Sequence, residues 1–103
     1  MGEFKKAIAT ADIEESKAKK VEIDGKNIAI IKQAESFYAI SDWCSHADES
    51  LSDGGCIEGD EIECPAHFAR FNFKSGEVTE PPAFEDIKTY PTKVEDGFVW
   101  VEV

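Results

Sequence analysis

The chain lacks several features that would place it in large classes of proteins. Only 11 of its 103 residues are Lys or Arg, against 22 Asp or Glu, which gives a formal net charge of -11. Because phosphates would be repelled by such a surface, this balance argues against nucleic acid as a partner. No apolar run is long enough for a membrane span or a signal peptide. We therefore expect a cytoplasmic protein that does not associate with a membrane.

Segments with a helical period, internal repeats and low-complexity tracts are also missing. Most of the chain consists of short runs of alternating apolar residues, separated by turn dipeptides. Asp24-Gly25 predicts one hairpin, and the runs Lys88–Val94 and Phe98–Val103 predict another. The sequence therefore predicts a single all-β domain over residues 1–103, with about eight to ten short strands.

Cysteine and histidine are scarce, with three and two copies respectively. Four of these five residues form two compact pairs, Cys44-x-His46 and Cys64-x-x-His67. Core packing gives no reason to place a thiol and an imidazole within a few residues of each other twice, whereas a metal centre does. Cys56 lies outside both pairs, and we interpret it as a structural or spare thiol.

Two thiolates and two imidazoles are compatible with more than one metal centre. A single tetrahedral zinc is one possibility, but zinc-finger patterns usually group the two cysteines first and the two histidines afterwards. In this chain the two ligand types are interleaved. Interleaving favours a cluster of two irons bridged by sulfides, in which both thiolates hold one iron and both imidazoles hold the other. Zinc stays open as an alternative, and visible absorption would separate the two.

At these residues the sequence resembles the Rieske [2Fe-2S] family, whose motif is Cys-x-His, a spacer of similar length, and Cys-x-x-His. Beyond the ligands it is similar to the small Rieske-type ferredoxins that serve bacterial aromatic-ring-hydroxylating dioxygenases. The segments that carry this similarity are FYAISDWCSHADESLSDG, IECPAHFARFNFKSGEVTEPPA and IKTYPTKVEDGFVWVEV. The resemblance itself covers nearly the whole chain, from about Val21 to Val103.

The resemblance implies both an architecture and a ligand set. Rieske domains have an antiparallel β-sandwich base with an inserted cluster-binding subdomain, which would occupy about residues 41–82 here. Cys44 and Cys64 would be the thiolate ligands of an inner iron. His46 and His67 would bind an outer iron near the surface. We therefore expect one Rieske-type [2Fe-2S] cluster as the cofactor.

Three further details depend on the same resemblance. Phe68 follows the second histidine, where most relatives have glycine, and residues 81–83 resemble a loop that covers the cluster. In respiratory-chain Rieske proteins a disulfide lies beside the cluster, at positions that correspond here to Glu49 and Ala66. Because this chain lacks that disulfide and has acidic residues near the proposed cluster, we expect its reduction potential to lie toward the lower end of the Rieske range of about -150 to +300 mV.

The function that the resemblance implies is one-electron transfer in a multicomponent dioxygenase system of aromatic hydrocarbon catabolism. A monomeric carrier would accept electrons from an NAD(P)H-dependent flavoprotein ferredoxin reductase and pass them to a terminal Rieske non-haem iron oxygenase. It would transform no substrate and would not be an enzyme by itself. An oxygenase would need further histidines for a mononuclear iron, and both histidines here are already used. A small Rieske subunit of another reductase complex, such as nitrite reductase, is the alternative.

Overall fold

The computed structural model describes residues 3–34, 36–42, 51–52, 55–64, 69–80 and 86–103. Within these ranges the chain forms eleven strands and one 3₁₀ turn at Thr10–Asp12. None of the described segments is a helix long and apolar enough to cross a membrane. In chain order the strands are β1 (Phe4–Ala9), β2 (Lys17–Ile23), β3 (Lys26–Gln33), β4 (Ser36–Ser41), β5 (Cys56–Glu58), β6 (Glu61–Glu63), β7 (Arg70–Asn72), β8 (Val78–Glu80), β9 (Thr89–Tyr90), β10 (Thr92–Glu95) and β11 (Phe98–Glu102).

The strands form three sheets in which all neighbours are antiparallel. One sheet has the order β1-β11-β10, the second β2-β3-β4-β9 and the third β5-β6-β7-β8. The chain leaves the second sheet after β4, builds the whole third sheet, and returns at β9. The predicted all-β class, a sandwich base with an inserted subdomain, is confirmed. The predicted limits of the domain and of its subdomain, about residues 41–82, stay predictions.

Strand β3 lies between two hydrophobic cores. Ile28 and Ile30 face the first core, where they pack with β11. Ala29 and Ile31 point the opposite way, into a second core shared with β6 and β7. All four side chains are completely buried, and each isoleucine contributes about 1.5–3 kcal/mol by its burial. This two-sided burial explains why β3 is a nearly continuous apolar run instead of an alternating one.

The hairpin predicted at Asp24-Gly25 is confirmed. Both residues have positive φ angles, 52° and 79°, as a two-residue turn of this hand requires. Ile23 pairs with Lys26 directly across the turn. The Asp96-Gly97 turn between β10 and β11 has the same form, with φ angles of 55° and 78°.

The predicted strand Lys88–Val94 is wrong as a single element, because the structure divides it at Pro91 into β9 and β10. Strand β9 pairs with β4 in the second sheet, whereas β10 pairs with β11 in the first. Proline has no N–H to donate to a strand ladder, so the chain can change sheets at this residue. The Thr92 hydroxyl donates to the Phe37 carbonyl (2.8 Å) directly after the change. This division contributes to a strand count above the predicted eight to ten.

Candidate metal centre

Of the four residues predicted to hold a metal cluster, only Cys64 lies within the described part of the chain. The predictions that fall outside the described residues concern Cys44, His46, His67, Phe68, Glu49, Ala66 and residues 81–83. Among the residues that the structure describes, no group of three or more His, Cys, Asp or Glu could hold a metal ion. The described part of the site consists of Cys64 and the residues that flank these segments.

Cys64 follows β6 and continues its alternation of inward and outward side chains. Ile62 is buried, Glu63 is 25% exposed at its side chain, and Cys64 is buried completely. The thiol lies in the second core, among apolar side chains. A thiolate in such surroundings is costly unless it is compensated, and bonding to iron supplies that compensation. The position of Cys64 thus fits an inner ligand of an iron–sulfur cluster.

A backbone hydrogen bond fixes the two ends of the segment that contains His67. The Cys64 N–H donates to the Ala69 carbonyl oxygen at 2.7 Å. Ala69 is also completely buried and shares the second core with Cys64. The chain therefore returns from residues 65–68 directly beside the buried thiol.

The segment that contains Cys44 and His46 has its two ends fixed through Asp42. The Leu51 N–H donates to the Asp42 carbonyl oxygen (2.7 Å), and the Ser52 N–H donates to the Asp42 side-chain Oδ1 (2.8 Å). Asp42 is completely buried. No sequence pattern indicates this role, because the hydrogen-bond partners of Asp42 lie nine and ten residues further along the chain.

Gly55 brings the ends of these two segments together. A Cβ on Gly55 would overlap the carbonyl oxygen of Leu51 and would lie 3.1 Å from the carbonyl oxygen of Glu63. Leu51 follows the first segment, and Glu63 precedes Cys64 at the second. Leu51 and Cys64 also belong to the same core. The fold therefore brings Leu51, which follows the first segment, close to Glu63 and Cys64, which stand at the start of the second.

Replacing Asp42 tests this anchoring. Asp42→Ala removes the acceptor of the Ser52 N–H, so we expect the free energy of unfolding to fall by about 1–3 kcal/mol and iron content per chain to fall with it. Asp42→Asn keeps a side-chain oxygen and should lose much less of both. Urea unfolding of the apo form and iron analysis of the holo form measure the two effects. An Asp42→Ala protein with the unfolding free energy and iron content of the wild type would contradict the anchoring role.

The two described cysteines have different environments. Cys56 begins β5, is exposed, and lies opposite Glu63 in the strand register. Cys64 is buried, and neither cysteine forms a disulfide. The interpretation of Cys56 as a structural or spare thiol stays a prediction.

Comparison with known proteins decides the family. A model of the Rieske [2Fe-2S] domain matches residues 3–91. The chain belongs to the Rieske [2Fe-2S] family. This Rieske chain is 35% identical over 99 residues to the biphenyl dioxygenase ferredoxin subunit of Pseudomonas sp. (strain KKS102), covering 96% of this chain and 91% of that protein. It is 37% identical over 97 residues to the ferredoxin component of the naphthalene 1,2-dioxygenase system of Pseudomonas putida, covering 94% and 92%.

Solved structures agree with this assignment of the Rieske domain. The ferredoxin of carbazole 1,9a-dioxygenase from Nocardioides aromaticivorans IC177 matches with a TM-score of 0.90 and 27% identity, over 95% of both chains. A chain in a complex of reduced oxygenase and oxidised ferredoxin in carbazole 1,9a-dioxygenase matches with a TM-score of 0.89 and 31% identity, over 96% of this chain and 92% of that one. Family membership resolves the choice between zinc and iron: the cofactor is one Rieske-type [2Fe-2S] cluster.

Proposed function

We propose that this Rieske chain is the ferredoxin component of a bacterial aromatic-ring-hydroxylating dioxygenase system. The observation that carries the proposal is similarity over nearly the full length of proteins named as ferredoxin components of such systems, at 35–37% identity. These names favour a ferredoxin over a small subunit of another reductase complex. The chain would carry electrons and would not itself transform a substrate.

We propose Cys44 and Cys64 as ligands of one iron and His46 and His67 as ligands of the other. The support is the spacing of the four residues, the complete burial of Cys64, and the closeness of Leu51 and Glu63, which flank the two segments that contain them. Cys64, in the apolar core, suits the inner iron. The histidine-bound iron would be the one nearer the surface, where electrons enter and leave.

The cluster, when bound, supplies a one-electron change of oxidation state. The residues of the chain provide a fixed environment around the cluster. Core residues such as Leu51 and Phe71 are completely buried and exclude water from the Cys64 side. The hydrogen bonds from Leu51 to Asp42 and from Cys64 to Ala69 hold the flanking backbone in place. A rigid, dry environment has little to rearrange when charge is added.

We propose two protein partners, a flavoprotein ferredoxin reductase and a terminal Rieske oxygenase. Support comes from the system names of the relatives and from the oxygenase–ferredoxin complex among the matched structures. Half of the chain's 22 acidic residues, but only two of its 11 basic residues, lie between residues 43 and 87. This acidic part would be steered toward basic patches on both partners. A cytoplasmic monomer that binds each partner weakly would serve such a shuttle.

Reconstituted electron transfer tests the proposal. Holoprotein is reduced anaerobically with NADH and a flavoprotein reductase of an aromatic dioxygenase system, and is then mixed with the oxidised terminal oxygenase of that system. We expect fast reoxidation at low salt and slower reoxidation at high salt, because added ions screen the charges that steer the encounter. Stopped-flow absorbance follows both steps. A holoprotein that a panel of such reductases fails to reduce would contradict the proposed function.

A further inference from the structure

Three carboxylates share one face of the third sheet. Glu58 of β5 lies directly opposite Glu61 of β6 in the register, and Glu63 is two residues further along β6 on the same face. The opposite face carries Ile62 and Phe71, which are buried in the second core. Like charges directly opposite each other destabilise an antiparallel pair. This face therefore requires a compensating cation.

Arg70 of β7 supplies that cation to all three carboxylates. Its Nη1 lies 2.9 Å from Glu58 Oε1 and 3.3 Å from Glu61 Oε1, and its Nε lies 3.3 Å from Glu63 Oε2. The Arg70 side chain is only 28% exposed. The hydrogen bond to Glu58 is the largest of the effects that raise the pKa of Arg70 above its usual value. One guanidinium thus spans three strands.

This ion network adjoins the metal centre. Glu63 and Arg70 pair in the register, and they immediately flank Cys64 and Ala69, whose hydrogen bond fixes the ends of the segment with His67. Arg70 and Lys74 are the only basic residues between positions 43 and 87, where half of the chain's 22 acidic residues lie. Lys74 is paired elsewhere, with Asp60 at 3.3 Å.

We propose that Arg70 tunes the reduction potential of the cluster, by neutralising the carboxylates next to the Cys64 ligand. The inference rests on the ligand role proposed for Cys64. Reduction adds negative charge to the cluster, so uncompensated carboxylates nearby disfavour it. Charges in a partly buried network are screened less by salt than exposed ones. Arg70 keeps the potential higher than the acidic surroundings alone would set it.

Spectroscopic redox titration of holoprotein variants tests the proposal. We expect the midpoint potential to fall in Arg70→Gln and to rise in Glu63→Gln, and the double variant to return toward the wild-type value. Arg70→Lys keeps the charge but loses the forked geometry, so its potential should stay close to wild type even if its stability falls. If the role of Arg70 were purely structural, both Arg70 variants would be less stable, and the midpoint potential would not depend on the charge at position 70.

Lys93→Gln is the matched control, because Lys93 is also ion-paired, with Glu95 at 3.8 Å, but belongs to the first sheet. Lys93→Gln changes the net charge by the same amount as Arg70→Gln, and it should leave the midpoint potential unchanged. If Arg70→Gln fails to fold alone, a lower potential in the double variant than in Glu63→Gln still decides the matter. Unchanged potentials in all folded variants with an intact Rieske electron paramagnetic resonance spectrum would overturn this inference alone. A wild-type protein without that spectrum would overturn the ligand assignment together with it.

Discussion

Replacing Cys64 with alanine is expected to abolish cluster binding, whereas replacing Cys56 with alanine should leave it intact. Cys64 is completely buried in the same core as Leu51 and Ala69, which flank the segments that contain the other three proposed ligands, and Cys56 is exposed. Loss of one thiolate leaves an iron with an incomplete ligand set. The measurement is iron and acid-labile sulfide per chain, together with visible absorbance, after reconstitution under identical conditions.

The same pair of variants separates ligation from packing. In the apo form Cys64→Ala removes only one buried sulfur, so its unfolding midpoint in urea should stay near that of the apo wild type. In the holo form the difference should be large, because cluster binding contributes to folding free energy. A Cys64→Ala protein with full iron content, or a colourless Cys56→Ala protein, would contradict the assignment.

Substituting Gly76 should cause a large loss of stability. Gly76 is buried, has a φ angle of +83°, and its carbonyl oxygen accepts from the Ile87 N–H at 2.8 Å. A Cβ there would overlap the carbonyl oxygen of Ile87. The overlapping atom belongs to the backbone, so it cannot move away as the end of a flexible side chain could. We expect Gly76→Ala to lower the free energy of unfolding by on the order of 4 kcal/mol or more.

Gly97→Ala is the matched control for this substitution. Gly97 also has a positive φ angle, +78°, but no atom lies within 4 Å of the position of its Cβ. Only the backbone conformation is penalised there, at roughly 1–2 kcal/mol. Urea unfolding of the two apo variants gives the difference directly. Equal losses would show that the contact between Gly76 and Ile87 adds nothing.

The sequence predicts those parts of the fold that depend on neighbouring residues. Asp24-Gly25 can adopt the positive φ angles of a hairpin wherever it occurs between two strands, so local chemistry was sufficient. Pro91 carried an equally local signal for the break between β9 and β10, but the alternation around it masked that signal. Contacts between distant positions are different. The close approach of Gly76 to Ile87 depends on how two segments pack, and no spacing in the sequence encodes it.

The candidate site divides in the same way. The two Cys–His pairs are visible because each pair is local, their interleaving favours a partition between two irons, and the family resemblance supports that partition. Asp42 and Arg70 were not found, because their roles depend on partners that the fold brings to them. Arg70 is a lone basic residue in an acidic stretch, but only the register of β5, β6 and β7 shows that it contacts three carboxylates at once.

The most direct test of the central claim is a pulsed electron paramagnetic resonance measurement on dithionite-reduced holoprotein labelled with isotopic nitrogen in histidine. We predict a [2Fe-2S] signal with couplings to two histidine nitrogens, lost when His46 or His67 is replaced. A signal without histidine coupling would indicate an all-cysteine cluster. That result, or a colourless protein that binds zinc, would contradict the claim that two cysteines and two histidines hold this cluster.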